Sequence, residues 1–162
     1  MKFKCINEME HLSFDDSQIS EFKIDNEKIQ FTFNGATIKA KNSQNGRYED
    51  MYCGELILQL QNAEIDRMVK EGLKYYDADG KLVKEIPDED VPIPAQAAAL
   101  LRIGSGKVFT VVPAEVEKGY GYEFGIDVPQ EQDEEEVDTF WLCITCDGTL
   151  AMWDRYCSPA DA

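Results

Sequence analysis

The chain has 162 residues, enough for one substantial core, and is read as a single domain spanning 1–162. Its 43% hydrophobic and 30% charged residues, with 11 Gly and 6 Pro, exclude the disordered class. Lys and Arg number 16 against 32 Asp and Glu, and the resulting charge of -16 repels a phosphate backbone, so nucleic acid is excluded as a partner.

The first twenty residues hold no apolar run of signal-peptide length, being interrupted by Glu8, Glu10, Asp15 and Asp16. No window approaches the roughly 18 apolar residues of a membrane helix. A cytoplasmic location without membrane association is therefore expected. Five cysteines, Cys5, Cys53, Cys143, Cys146 and Cys157, form an odd, widely spaced set that suits free thiols in a reducing compartment.

In chain order, the first predicted unit is a three-strand meander over residues 20–40. A tight turn at Asn26-Glu27 sets Phe22 opposite Phe31 and Ile24 opposite Ile29. A second turn at Asn34-Gly35, a type I′ signal, sets Phe33 opposite Ala36 and Phe31 opposite Ile38. The large apolar residues then share one face, while Glu21, Lys23, Lys28 and Gln30 take the wet one. Glu55–Gln61 reads as a fourth strand with Leu56, Leu58 and Leu60 inward.

Asn62 opens a stretch with Ile65, Met68, Val69 and Leu73 at i, i+3, i+4 and i+8, the pattern of a short helix ending near Gly72, although the same residues also admit a strand. A hairpin is expected around Asp77–Gly80, followed by a rigid acidic connector over 87–94 and a helix from Ala95 to Ile103, with Pro94 in its first turn. Strands resume at Lys107–Val112 and Tyr120–Val128.

The last pair, Thr139–Cys146 and Thr149–Trp153, is expected to fold as a hairpin across Asp147-Gly148, with Ile144 opposite Ala151 and Leu142 opposite Trp153. The fold class is thus α+β, mainly antiparallel β, as a curved sheet or two packed sheets with one or two short helices.

No motif supplies a catalytic residue, a cofactor or a metal. Cys143 and Cys146 lie three apart on a strand and so point to opposite faces, unlike a redox or zinc pair. His11 is the only histidine. Asp77–Lys81 has Lys81 where a calcium loop needs an oxygen ligand. In Arg102–Val108, which echoes a phosphate loop, Val108 replaces the hydroxyl that would hold magnesium.

Two features point instead to binding. Acids crowd at Glu131, Asp133, Glu134, Glu135, Glu136 and Asp138, a run with no base of its own, which reads either as a solvated loop or as a patch for a basic partner. Tyr120 and Tyr122 lie on a strand whose glycines, Gly119, Gly121 and Gly125, leave one face bare, either for a ligand or to relieve crowding in the sheet. The functional expectation is a non-enzymatic protein-binding or accessory domain, one that neutralises a basic protein, with Tyr120, Tyr122 and the six acids as contacts. The alternatives are a structural or homo-oligomerising module and, behind it, a small-ligand-binding protein or a carboxylate-dependent enzyme.

Overall fold

Alternation of apolar and polar residues runs through most of the chain, and a strand uses it by sending successive side chains to opposite faces. The computed structural model describes residues 1–133 and 135–160. Its strands before the helix are β1 (Phe3–Ile6), β2 (Leu12–Ser13), β3 (Ser17–Asp25), β4 (Lys28–Asn34), β5 (Thr37–Ile38), β6 (Met51–Cys53), β7 (Leu56–Gln61), β8 (Glu64–Lys70), β9 (Leu73–Tyr76), β10 (Leu82–Ile86) and β11 (Glu89–Asp90). Helix α1 (Ile93–Ile103) follows, then β12 (Lys107–Ala114), β13 (Tyr120–Pro129), β14 (Val137–Cys146), β15 (Gly148–Trp153) and β16 (Tyr156–Pro159).

Ten strands form one antiparallel sheet in the order β1-β15-β7-β4-β3-β12-β13-β14-β8-β11. At its middle, β3 and β12 share only the pairs Ser17–Val108 and Gln18–Lys107. The sheet folds over at this weak seam, so that Phe31 of β4 stacks on Phe124 of β13 with ring centroids 4.8 Å apart, although β3 and β12 separate them in strand order. The core lies between the two halves, built from Ile29, Phe31, Phe33, Leu56, Leu58 and Leu60 on one side and Met68, Phe124, Ile126, Leu142 and Ile144 on the other. A second sheet, β16-β6-β5-β2, brings Leu12 and Ile38 into register and places Phe14 against Phe33 at 4.8 Å. Helix α1 packs on β3 and β13, inserting Ile103 and Ala99 while Ile93 and Leu101 stay in solvent. The fold is mixed α+β, dominated by antiparallel sheet, with one short α-helix and a 3-10 turn at Met9–His11 among the described residues.

The Asn26-Glu27 hairpin forms in the expected register, Phe22–Phe31 and Ile24–Ile29, and both turn residues are left-handed, as a type I′ turn requires. The second hairpin does not form. The free edge of β4 is taken by β7, with Phe31 opposite Leu58 and Phe33 opposite Leu56, while Thr37 and Ile38 join β2 and β6 instead. Phe33, Ala36 and Ile38 are all fully buried, so their burial is as expected, but a six-residue leucine strand offers β4 a longer match than two residues can.

The stretch after Asn62 is strand β8. Ile65 and Met68, three apart, both face inward because a bulge at Asp66 shifts the register: Leu142 pairs with Met68, Cys143 with Arg67 and Ile144 with Ile65. A β-bulge has therefore written a helix-like i, i+3 spacing into a strand.

The Asp147-Gly148 hairpin is also absent. Cys146 ends a strand of one half and Gly148 begins one of the other, so Ile144 pairs with Tyr122 and Ile65, and Ala151 with Cys5 and Leu58. The link from β7 to β8 crosses between the halves beside it. The Asp147 N–H donates to the Gln61 carbonyl at 2.8 Å, and the Asn62 amide donates to the Asp147 carboxylate at 2.8 Å. Two adjacent crossings that bond to each other replace one hairpin and one helix cap.

Candidate functional site

Beyond β8 the chain leaves the large sheet as a two-stranded arm. Strands β9 and β10 pair only with each other, with Leu73 opposite Ile86 and Tyr76 opposite Leu82, and every residue from Leu73 to Ile86 is exposed. The tip is closed by Asp77, whose carboxylate accepts from the N–H groups of Asp79 and Lys81, each at 2.9 Å. That carboxylate is thus spent on its own turn. At the base, Gly72 has no room for a side chain, since a Cβ would fall 1.8 Å from the Ile86 carbonyl oxygen, and its N–H donates to Asp88 at 2.7 Å. The arm presents Leu73, Tyr76 and Val83 to water at 55%, 59% and 62% exposure. An isolated hairpin gains little stability of its own, and these large apolar side chains are not covered by the core.

The acidic loop meets the base of this arm. Glu71 donates its N–H to the Thr139 carbonyl at 2.8 Å, which ties the start of the arm to the start of β14. An open cleft of about 500 Å³ results, lined by Leu73, Ile86 and Val137 together with Glu71, Glu89 and Glu136. Glu131 and Asp138 line an adjoining hollow with Lys70 and Arg102. Glu131, Asp133, Glu135 and Glu136 are exposed, with the loop closed by the Glu136 carbonyl accepting from Gln130 and by Asp133 accepting from the Glu135 N–H. Glu134 lies outside the described residues.

Asp138 behaves differently from the rest of the run. It sits mostly buried between Arg102, at 2.8 Å, and Lys70, at 3.8 Å, and also accepts from Gln130. Burial alone would push its carboxyl up, but the Arg102 hydrogen bond and the charges of Lys70 and Arg102 carry it below the usual value. The base missing from the local sequence comes from β8 and α1, and Asp138 anchors the loop to both.

Tyr120 and Tyr122 are not part of this face. They begin β13, whereas the acidic loop follows its other end, about 30 Å away along a ten-residue strand. The two sets of expected contacts therefore belong to separate places. The bare glycine face is filled by the protein itself: a Cβ on Gly125 would lie 2.5 Å from the Phe109 ring, and one on Gly121 would lie 2.7 Å from Val116. Phe109 lies edge-on to Trp141 over this strip, with ring centroids 5.4 Å apart.

All five cysteines are free thiols, with Cys143 half-buried on the outer face of β14 and Cys146 buried on the inner one. Burial raises the thiol pKa of both, and pushes that of Cys53 up to about 12, the reverse of nucleophile activation. His11 is partly exposed with its Nε2 3.6 Å from Glu10. Among the described residues no three His, Cys, Asp or Glu side chains form a group that could hold a metal ion, and no helix is long and apolar enough to cross a membrane. No family model matches the chain, and neither the curated proteins nor the solved structures contain a match. The arm was legible as a hairpin and the loop as acidic. Their meeting was not, because it depends on the pairing of β8 with β14.

Proposed function

We propose that the chain is a protein-binding or accessory domain that docks a basic partner on the face formed by the β9–β10 arm and the loop between β13 and β14. The observation that carries this reading is the shared cleft: exposed Leu73, Ile86 and Val137 lie side by side with Glu71, Glu89 and Glu136. An apolar centre bordered by charge is the usual anatomy of a protein interface, and the sign of the border selects the partner. Lys70 and Arg102 are already paired with Asp138, and among the described residues Glu71, Glu89, Glu131 and Glu136 make no ion pair. The chain's overall charge of -16 adds long-range attraction for a basic protein.

The test is capture from extract of the native cells by three forms in parallel: the native protein, Glu131→Gln/Glu135→Gln/Glu136→Gln, and Leu73→Ser/Ile86→Ser. The expected result is one basic protein held by the native form and lost from the Ser variant. Its association with the Gln variant should slow by on the order of tenfold at low salt, with dissociation little changed, because rim charges act on the encounter. A partner held equally by all three forms, or no partner at all, overturns the reading.

A further inference from the structure

A second cleft, of about 480 Å³, opens at the start of β13, far from the arm. Its floor is apolar, with Leu12, Phe14 and Val111, and the rings of Tyr120 and Tyr122 stand nearly parallel in it at 7° and 6.5 Å. Tyr122 lines the cleft and is only 8% exposed, and its hydroxyl has no hydrogen-bond partner among the described residues. A buried tyrosine normally bonds its hydroxyl. Here the cleft that Tyr122 lines offers room for a partner.

The charges around the cleft indicate which partner. Glu10, 3.6 Å from His11, and Asp15 are exposed at its edge, and the Asp15 carboxylate is bonded to no described residue. Lys39 is the one cation among the described lining residues. An adjoining hollow shares Asp15 and Lys39 and adds Asp16, whose carboxylate lies 3.8 Å from Lys107, and Asp50, whose carboxylate accepts from the Ala40 N–H at 2.8 Å. Carboxylates thus outnumber cations across the whole mouth, over tyrosine faces that attract positive charge and an apolar floor that accepts carbon.

We propose that this mouth is a binding site for an organic cation, a guanidinium or ammonium carried on an apolar stem. The stem lies on Leu12, Phe14 and Val111, the charged N–H groups donate to the Tyr122 oxygen, and Glu10 and Asp15 balance the charge. Desolvation by burial holds the Tyr122 phenol up at about 12, so it remains neutral at any ordinary pH and its oxygen is a stable acceptor. Free amines and basic side chains of a protein share this chemistry. The site stands apart from the arm and does not depend on the reading given above.

The test is calorimetric titration with agmatine, with a short arginine-rich peptide, and with butyrate as an anion of similar size. The forms compared are the native protein, Tyr122→Phe, Glu10→Gln/Asp15→Asn, and the arm variant Leu73→Ser/Ile86→Ser. Saturable binding of a cation but not of butyrate is expected, unchanged in the arm variant. Tyr122→Phe keeps the ring and should weaken binding about tenfold, the scale of a hydrogen bond to a charged group. The acid variant, altered only at the surface, should weaken it too and flatten its salt dependence. Agmatine binding as well as the peptide identifies a free cation as the ligand, and binding of the peptide alone identifies a protein side chain. Binding of neither cation, preference for butyrate, or cation affinity unchanged in both Tyr122→Phe and the acid variant overturns the proposal.

Discussion

Trp153 is wholly buried, in register with Phe3 on one side and Leu56 on the other, and Tyr156 meets it edge-on at 6.3 Å. Removing so large a side chain leaves a cavity that the flanking strands cannot close, so Trp153→Ala should cost about 3–5 kcal/mol, a large part of a domain's stability. A denaturant midpoint unchanged by the substitution would contradict this placement. Asp138 sets a pH dependence. Its carboxyl pKa is lower in the folded chain than the ordinary 3.8, so its pairing with Arg102 and Lys70 stabilises fully above that value and is lost as pH falls through the folded pKa. Asp138→Asn should therefore lower stability near neutral pH and make the acid limb of the stability profile shallower. Equal losses at neutral pH and at pH 2 would show that the carboxylate charge is not what matters.

At the scale of elements, the arm and the core make opposite contributions. None of the arm's side chains from Leu73 to Ile86 is buried, so replacing residues 74–85 by a short Gly-Ser turn should leave the thermal midpoint within a few degrees of the native value, whereas partner capture should fail. A large fall in the midpoint would mean that the arm is part of the folding unit. The same contrast explains what could be read from the sequence. Alternation tells which residues of a strand face the core, and Leu56, Leu58, Leu60, Phe124 and Ile126 were legible for that reason. Alternation does not tell which strand lies alongside. Asn34-Gly35 and Asp147-Gly148 look like hairpin turns locally, yet β4 finds β7 and β14 finds β13 and β8, because those partners bury longer apolar matches. The bulge at Asp66 shows the complementary failure, in which one extra residue makes a strand's inward positions imitate a helix. The candidate face shares this limit, since Glu71 and Thr139 are distant in sequence and meet only through the β8–β14 ladder.

Across the whole molecule, charge is unevenly distributed, and the proposed function rests on that imbalance. The second half of the chain, residues 82–162, holds 17 acids against 5 bases, and one of those bases, Arg102, is committed to Asp138. Like charges gathered on a loop oppose folding slightly and are tolerated readily when they serve an encounter. Beside them the chain holds out an exposed arm whose large apolar side chains its own core does not use. The most direct measurement of the proposed function is amide hydrogen exchange on the chain, free and in the presence of the basic protein that the capture experiment is expected to return. Protection on binding is expected at 71–76, 82–89, 130–133 and 135–137, with β4, β7 and β13 unchanged. Protection confined to other segments, with the arm exchanging as freely in the complex as alone, would contradict the assignment of this face.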